Sequence, residues 1–311
     1  MRLSVVVPCY NEEENIPLFY KTIVQVFGSL MHHTELVFVN DGSTDQTYEQ
    51  LHRLYEKSPY RIKVVSFSRN FGKEAALLAG LRHATGDFVA IIDADLQQRP
   101  EYVLQMMDIL KEHPEYDAVA AYQAQRKEGK ILTFFKDCFY KIIDKVTDVE
   151  MVRAASDFRL LRRNVVDAIC NLPEKCRFSK GIFSWVGFNT YYMPYVVEAR
   201  AYGTTKWSFW KLFVYAIDGI VAFSTTPLVV ASFIGLLLCL VSGILMIWIV
   251  VKTIIWGDPV AGYPTIVSLL LLTSGIQLLC TGIIGQYLAK NYTETKNRPV
   301  YVVKDLLDSK K

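Results

Sequence analysis

Two carboxylates stand one residue apart in the stretch Ile91-Ile92-Asp93-Ala94-Asp95-Leu96-Gln97-Gln98. The apolar run from Phe88 to Ile92 reads as a buried strand leading into them. In an extended chain alternate residues share a face, so Asp93 and Asp95 are expected to converge on one point. Carboxylates placed in this way repel each other, and a hard divalent cation with oxygen ligands removes the repulsion. The chemistry open to this spacing is Mg²⁺ or Mn²⁺ held by one or two carboxylates, with substrate phosphates completing the shell. A lone Asp-x-Asp also fits a solvated turn at a strand end, so its meaning depends on what else reaches the same rim.

Several elements are expected to deliver residues there. Leu3-Ser-Val-Val-Val7 is a buried-strand run that Pro8 should end, with Cys9-Tyr10-Asn11-Glu12 as the following loop. Asn15 and Pro17 predict a helix start, with Leu18, Ile23, Val26 and Phe27 as apolar positions. Glu35 to Val39 is a second strand, Asn40-Asp41-Gly42-Ser43 a turn, and Thr44 or Asp45 a cap for the next helix. Arg61 to Phe67 contains a third strand, followed by the polar loop from Ser68 to Lys73 and a helix from Glu74 to Ala84. After the strand ending in Asp93 come a helix from Pro100 to Glu112 and a fifth strand from Asp117 to Ala121; Thr190 to Val197 is a further strand. Strands alternating with helices predict a mostly parallel α/β sheet with helices on both faces. Ligands in such sheets sit at the carboxyl ends of the strands, where Asp41, the loop from Arg69 to Lys73 and Asp93/Asp95 all fall. No GxGxxG follows the first strand, which argues against a dinucleotide fold of the usual kind.

The chain has 311 residues and a formal charge of +3, without a Lys/Arg block that would suit nucleic acid. Its mean hydropathy of +0.20 comes mostly from the last third. Leu228 to Val251 carries no charged residue, nor does Pro259 to Ala289. Each exceeds the ~20 apolar residues that span a bilayer. Two spans are expected, at 228–251 and 264–289, within a hairpin over 227–290. Lys206, Lys211, Lys290, Lys296 and Arg298 flank the outer ends of the pair, whereas the link around Trp256-Gly-Asp-Pro259 offers only Lys252. The positive-inside rule then puts a domain over 1–205 and a tail over 291–311 in the cytoplasm. Residues 206–226, with Trp207-Ser-Phe-Trp-Lys-Leu-Phe, read as an amphipathic segment at headgroup depth. Ile131 to Val146 has the same character, as a core helix or a surface-lying one. Small residues in the second span (Ser274, Gly275, Gly282, Gly285) suggest close packing within the hairpin or between protomers of a homo-oligomer. Six cysteines without CxxC or zinc spacing fit a reducing compartment, and no signal peptide is evident.

Val7-Pro-Cys-Tyr-Asn-Glu12, Asn40-Asp-Gly-Ser-Thr-Asp45, Arg69-Asn-Phe-Gly-Lys73 and Asp93-Ala-Asp-Leu-Gln97 resemble the successive motifs of family 2 glycosyltransferases, which have a GT-A fold. Asp157-Phe-Arg-Leu-Leu161, Lys180-Gly-Ile-Phe-Ser-Trp-Val-Gly187, Gly203-Thr-Thr-Lys-Trp207, Gly262-Tyr-Pro264, Gly285-Gln-Tyr287 and Tyr292-Thr-Glu-Thr-Lys-Asn-Arg-Pro299 extend the resemblance over nearly the whole chain. They are similar to the membrane-bound branch that loads a sugar onto a polyprenyl phosphate, above all to the bactoprenol glucosyltransferases. Mannose and aminoarabinose transferases are more distant members, and a non-catalytic module binding nucleotide sugars is an alternative of another class. Two departures stand out: Gln98-Arg99-Pro100 where the family has Asp-Pro-Pro or similar, and Gln286 where it commonly has Glu.

The resemblance implies inverting transfer of a hexose, most often glucose, from a UDP-sugar to undecaprenyl phosphate at a bacterial inner membrane. It implies donor contacts from Pro8, Tyr10, Glu12, Asp41, Lys73, Asp93, Ala94, Asp95 and Gln97, with Asp41 accepting hydrogen bonds from the base. Asp95 and Gln97 would hold the metal, Mg²⁺ or Mn²⁺. Asp157 matches a position proposed as a catalytic base, although an already ionised phosphate needs little base and an orienting role suits Asp157 equally. Arg126, Arg200 and Lys206 are the candidate cations for acceptor or donor phosphates.

Overall fold

The computed structural model describes residues 2–123, 155–198, 221, 224–256 and 262–308. It opens with β1 (Leu3–Cys9), α1 (Asn15–Phe27), β2 (Thr34–Asn40), α2 (Thr47–Lys57), β3 (Arg61–Phe67), α3 (Lys73–His83), β4 (Phe88–Ile91), α4 (Glu101–Glu112) and β5 (Ala118–Gln123). Then come β6 (Ala155–Arg162), α5 (Arg163–Asn171), α6 (Ser179–Trp185), β7 (Thr190–Tyr195), two long helices α7 (Thr226–Trp256) and α8 (Tyr263–Thr295), and β8 (Val303–Asp308). One sheet holds the strands in the order β7-β5-β6-β4-β1-β2-β3-β8. β4, β1, β2 and β3 are mutually parallel, as helical crossovers require. β6 runs antiparallel to β4 and β5, and β8 antiparallel to β3, so the α/β sheet is mixed but mostly parallel.

Both faces are covered, and the strand period decides which side chain goes where. Val5, Val7, Leu36, Phe38, Ile62 and Val64 face α1, α2 and α4. Their neighbours Val6, Val37, Val39, Val65, Val89 and Ile91 face α3, α5 and α6. α1 buries Ile16, Phe19, Ile23 and Phe27 at helical spacing. Phe19 meets Phe38 edge-on, with centroids 6.2 Å apart. Leu18, expected on that face, is 36% exposed and lies off the stripe.

Three expectations need correction. Pro8 does not end β1, which pairs with β2 through Cys9↔Asn40. Val6 O accepts from Ile92 N on the β4 side, so Pro8, two residues on, faces the same side after β4 has finished at Ile91, where no N–H is required. Asp93 and Asp95 do not lie on an extended strand: β4 stops at Ile91, Ala94 and Asp95 form a turn, and Leu96 has φ 57°. Neither β6 nor β8 was anticipated; β8 makes part of the supposed tail an edge strand of the sheet. The segment Ile131 to Val146, the segment from Trp207 to Phe213, and Arg126, Arg200 and Lys206 lie outside the described residues.

α7 and α8 run antiparallel. Tyr287 Oη donates to Ser224 O at 2.5 Å, and Cys280 Sγ lies 3.8 Å from Ala231 O. Among the described residues one helical segment, Thr226–Leu245, is long and apolar enough to cross a membrane. A side chain added at Gly275, Gly282 or Gly285 would meet nothing within 4 Å, so these small residues do not serve packing inside the helix pair.

α3 lies so close on β1 that a Cβ at Gly80 would fall 2.1 Å from Val6 Cγ1, in a region with no exposure. Gly80→Ala is expected to cost about 1–3 kcal/mol through overpacking. Val6→Ala/Gly80→Ala should lose less stability than the two single variants added together. Thermal unfolding of the four proteins in one detergent reads this out; strict additivity would show that the contact is not the cause.

Candidate active site

β1 sits where the strand order reverses, with β2 on one side and β4 on the other. At such a point a crevice opens beyond the carboxyl ends of the strands. A cleft of about 240 Å³ lies there, lined by Pro8, Tyr10, Glu12, Asp41, Lys73, Asp93, Ala94 and Asp95 among others. These are the expected donor-site residues except Gln97. The Gln97 side-chain amide donates to Glu198 O at 3.4 Å, and its own N–H donates to Asp95 Oδ1 at 3.2 Å.

Lys73, the first residue of α3, joins the two sides of the cleft. Its ammonium lies 2.9 Å from Asp93 Oδ1 and 3.2 Å from Asp157 Oδ2. The register explains the meeting: Ile91 pairs with Arg159 across β4 and β6, and two residues further on Asp93 comes level with Asp157. Partial burial works against the ammonium, but Asp93 and Asp157 outweigh it and hold Lys73 well above the usual lysine range. Burial likewise disfavours ionised Asp157; Lys73, Lys180 and Arg159 prevail and push its carboxyl down to about 2. Arg159 is itself buried, which lowers its pKa to about 10, against the pull of Asp157. It packs 3.6 Å over the Phe183 ring and donates from Nη2 to Ser156 O at 2.8 Å.

Asp41 is 3% exposed, and its carboxylate is the clasp of the loop from Arg69 to Gly72. Phe71 N donates to Oδ1 at 2.6 Å and Gly72 N to Oδ2 at 3.0 Å. Burial raises its pKa, and the two amides and Arg69 offset part of that. The loop crosses directly over Gly42, where φ is +61° and a Cβ would fall 2.2 Å from Arg69 C. Glu12 takes the Asn15 side-chain amide at 2.6 Å, at the start of α1. Cys9 is buried in the cleft wall, and burial, with Glu12, Asp93 and Asp45, raises its pKa well above the thiol range, so it stays neutral.

Sequence reasoning missed Gln98. It is 6% exposed, its Oε1 accepts from Asp93 N at 3.1 Å, and its Nε2 lies 3.4 Å from Asp93 Oδ2. What reads as a departure from a family pattern is a direct support of Asp93; the only sequence signal was its place within the turn. The Lys73–Asp157 pair left no local signal, because an antiparallel strand far along the chain creates it.

Residues 4–170 match Glycosyl transferase family 2, and the chain belongs to that family. It is 41% identical over 305 residues to the bactoprenol glucosyl transferase of Shigella phage SfX, covering 98% of this chain and 99% of that one. The prophage bactoprenol glucosyl transferase homolog of Escherichia coli (strain K12) matches at 41% with the same coverage. An uncharacterized glycosyltransferase of Synechocystis sp. is 42% identical, covering 98% of this chain and 96% of its own. Among solved structures, glucosyl-3-phosphoglycerate synthase from Mycobacterium tuberculosis is similar with TM-score 0.47 and 19% identity, over 71% of this chain and 78% of that one.

The depressed carboxyl of Asp157 fixes a pH dependence. A carboxylate whose pKa is lower folded than unfolded stabilises the fold above its unfolded value, about 4, and loses that contribution as pH falls through its folded value. The window here runs from about 4 down to about 2. Asp157→Asn should flatten the fall in melting temperature over that window. An unchanged acid limb would place the loss in other groups.

Proposed function

We propose that the protein transfers glucose from UDP-glucose to undecaprenyl phosphate, inverting the anomeric centre, at the cytoplasmic face of a bacterial plasma membrane. The observation that carries this reading is the end-to-end match to the phage bactoprenol glucosyl transferase, which takes in the cleft and the paired helices alike. A polyprenyl tail leaves the bilayer only at ~0.8 kcal/mol per CH₂, so the site must come to the phosphate. α7 and α8 form the two-span hairpin that brings it there; Phe233, Ile244, Leu278 and Leu288, among other large apolar side chains on the pair, are more than half exposed. The open faces at Gly275, Gly282 and Gly285 favour packing against a second copy, in a homo-oligomer, over packing within the hairpin.

In the transfer, a phosphate oxygen of the acceptor attacks C1 of the sugar. The C1–O bond to UDP breaks, and UDP leaves with the electron pair. The acceptor monoester has its second pKa near ~6, so no side chain has to take a proton from it. Asp157, with a pKa of about 2 and bound to Lys73, is a poor base and a good positioning group. Lys73 offers the diphosphate a permanent positive charge. Asp41 retains acceptor capacity toward the cleft for a donor N–H of the base.

Among the described residues the cleft lining holds Glu12, Asp41, Asp93 and Asp95 against the single cation Lys73. A diphosphate entering so acidic a cleft is repelled unless a cation accompanies it. Asp93 and Asp95 supply hard oxygen donors, and no group of three or more His, Cys, Asp or Glu is arranged for a metal among the described residues. That set suits Mg²⁺ or Mn²⁺ sharing its shell with substrate phosphates. Asp95 is the first candidate ligand, and the bound ion would stabilise charge on the departing diphosphate. Arg126, Arg200 and Lys206 are proposed to meet phosphate oxygens, on the strength of their sequence positions.

Membranes containing the protein, given labelled UDP-glucose, UDP-galactose or GDP-mannose with undecaprenyl phosphate, should label lipid from UDP-glucose in preference. Asp95→Asn should reduce turnover at least a hundredfold while the protein stays folded; full activity of that variant in chelator would remove the metal from the mechanism. For the topology, a reporter after Lys311 and a cysteine label beside Gly257 should report opposite sides of the membrane. Both on one side would rule out the two-span arrangement.

A further inference from the structure

Behind the loop that Asp41 clasps lies a second and larger cavity, about 770 Å³. The loop from Ser68 to Phe71 forms one wall, Lys175 to Arg177 another, and the end of α8 with the segment up to Val302 the third. Five of its lining residues are cations: Arg69, Lys175, Arg177, Lys296 and Arg298. The lining has one acid, Glu74, whose Oε2 already accepts the Ser179 amide at 2.8 Å and the Ser179 hydroxyl. At its edge Glu294 of α8 accepts Lys175 N at 2.9 Å and Cys176 N at 2.7 Å, which fixes α8 to the domain and frames the cavity between them.

Arg177 is committed to Leu172 O and Ile169 O. Arg69 and Lys296 lie over the rings of Phe71 and Tyr292, at 4.3 Å and 4.1 Å. Among the described residues Lys175, Lys296 and Arg298 make no ion pair with a carboxylate; Arg69 donates from Nη1 to Asn70 O at 3.2 Å and acts on Asp41. The five cations outnumber the carboxylates beside them, Glu74, Glu174 and Glu294, of which Glu74 and Glu294 already accept backbone amides, so an anion entering the concave space lowers the repulsion among them. Guanidinium forks beside ammonium groups are the donor set that suits phosphate oxygens. The place matters equally: Lys296 directly follows the last residue of α8, where a helix proposed to span the bilayer emerges.

We propose that this cavity binds a phosphate group presented at the membrane surface, on a site separate from the donor cleft. The two are divided by the loop and the first turn of α3: Asn70, Gly72, Lys73 and Ala76 line the donor cleft, while Arg69, Phe71, Glu74 and Ala75 line this cavity. The proposal rests on the membrane-spanning reading of α8 but not on sugar transfer, so binding alone tests it.

The full-length protein in detergent is titrated, by native mass spectrometry, with short-chain phosphatidylglycerol, short-chain phosphatidylcholine and inorganic phosphate. Lys296→Gln/Arg298→Gln and, on another wall, Lys175→Gln are compared with the parent; UDP affinity serves as the control for folding. Phosphatidylglycerol should bind the parent in preference to phosphatidylcholine and bind the double variant on the order of ten- to a hundred-fold more weakly. Lys175→Gln should lose affinity in the same sense. If inorganic phosphate shows the same preference and the same losses, the site stands and its ligand is a soluble phosphate. If neither probe distinguishes the parent from variants that still bind UDP, the proposal is overturned.

Discussion

The ammonium of Lys73 between Asp93 and Asp157 is the interaction on which the site depends. It joins three parts of the chain: the start of α3, the turn after β4 and the antiparallel strand β6. Without it two carboxylates would face each other across a partly buried gap, and the turn and the strand would be driven apart. The surrounding groups hold this arrangement. Gln98 fixes the backbone and carboxylate of Asp93 from one side, and Arg159, locked over Phe183, keeps positive charge behind Asp157 on the other. Asp41 holds the loop that leads into Lys73.

Much of this scaffold is visible in the sequence, because β1 to β4 are buried on both faces and read as apolar runs. The polar loops that follow them must then share one rim, and Glu12, Asp41, Lys73, Asp93 and Asp95 do line one cleft. What escaped was set by pairing across long distances. β6 and β8 run antiparallel to their neighbours, and short strands of mixed character carry no signal of their partner. The level meeting of Asp93 with Asp157 follows from the Ile91↔Arg159 register alone. Pro8 misled for a related reason: a proline ends a strand only where its missing N–H faces a partner, and one side of β1 has already lost its partner there. Gln98 stands out in the sequence only as a departure from the family's Asp-Pro-Pro run, because its bonds to Asp93 arise from the turn after β4.

The loop from Arg69 to Gly72 divides two electrostatic environments. Among the described residues the lining on the side of β1 and β4 is acidic with a single lysine, and on the side of α8 it is rich in arginine and lysine. A backbone strand clasped by one buried carboxylate is a narrow partition between them, and Gly42 beneath it leaves no room for it to settle further. Glu294, bound to the amides of Lys175 and Cys176, holds the end of α8 against the domain beside that partition. The position of the end of α8 beside the rim is therefore held by hydrogen bonds between elements.

The last described strand has a consequence for how the molecule is made. β8, at residues 303–308, covers the edge of β3, at residues 61–67, and both long helices lie between them in the chain. During synthesis the edge of β3 emerges early, and its partner leaves the ribosome only after both long helices. An uncovered parallel edge is a template for wrong pairing. The nascent chain must therefore carry that open edge until α7 and α8 have been made, so synthesis of both long helices comes before completion of the sheet. A messenger cut short after the helices would yield a protein with a raw β edge, and cellular quality control would have a specific feature to recognise.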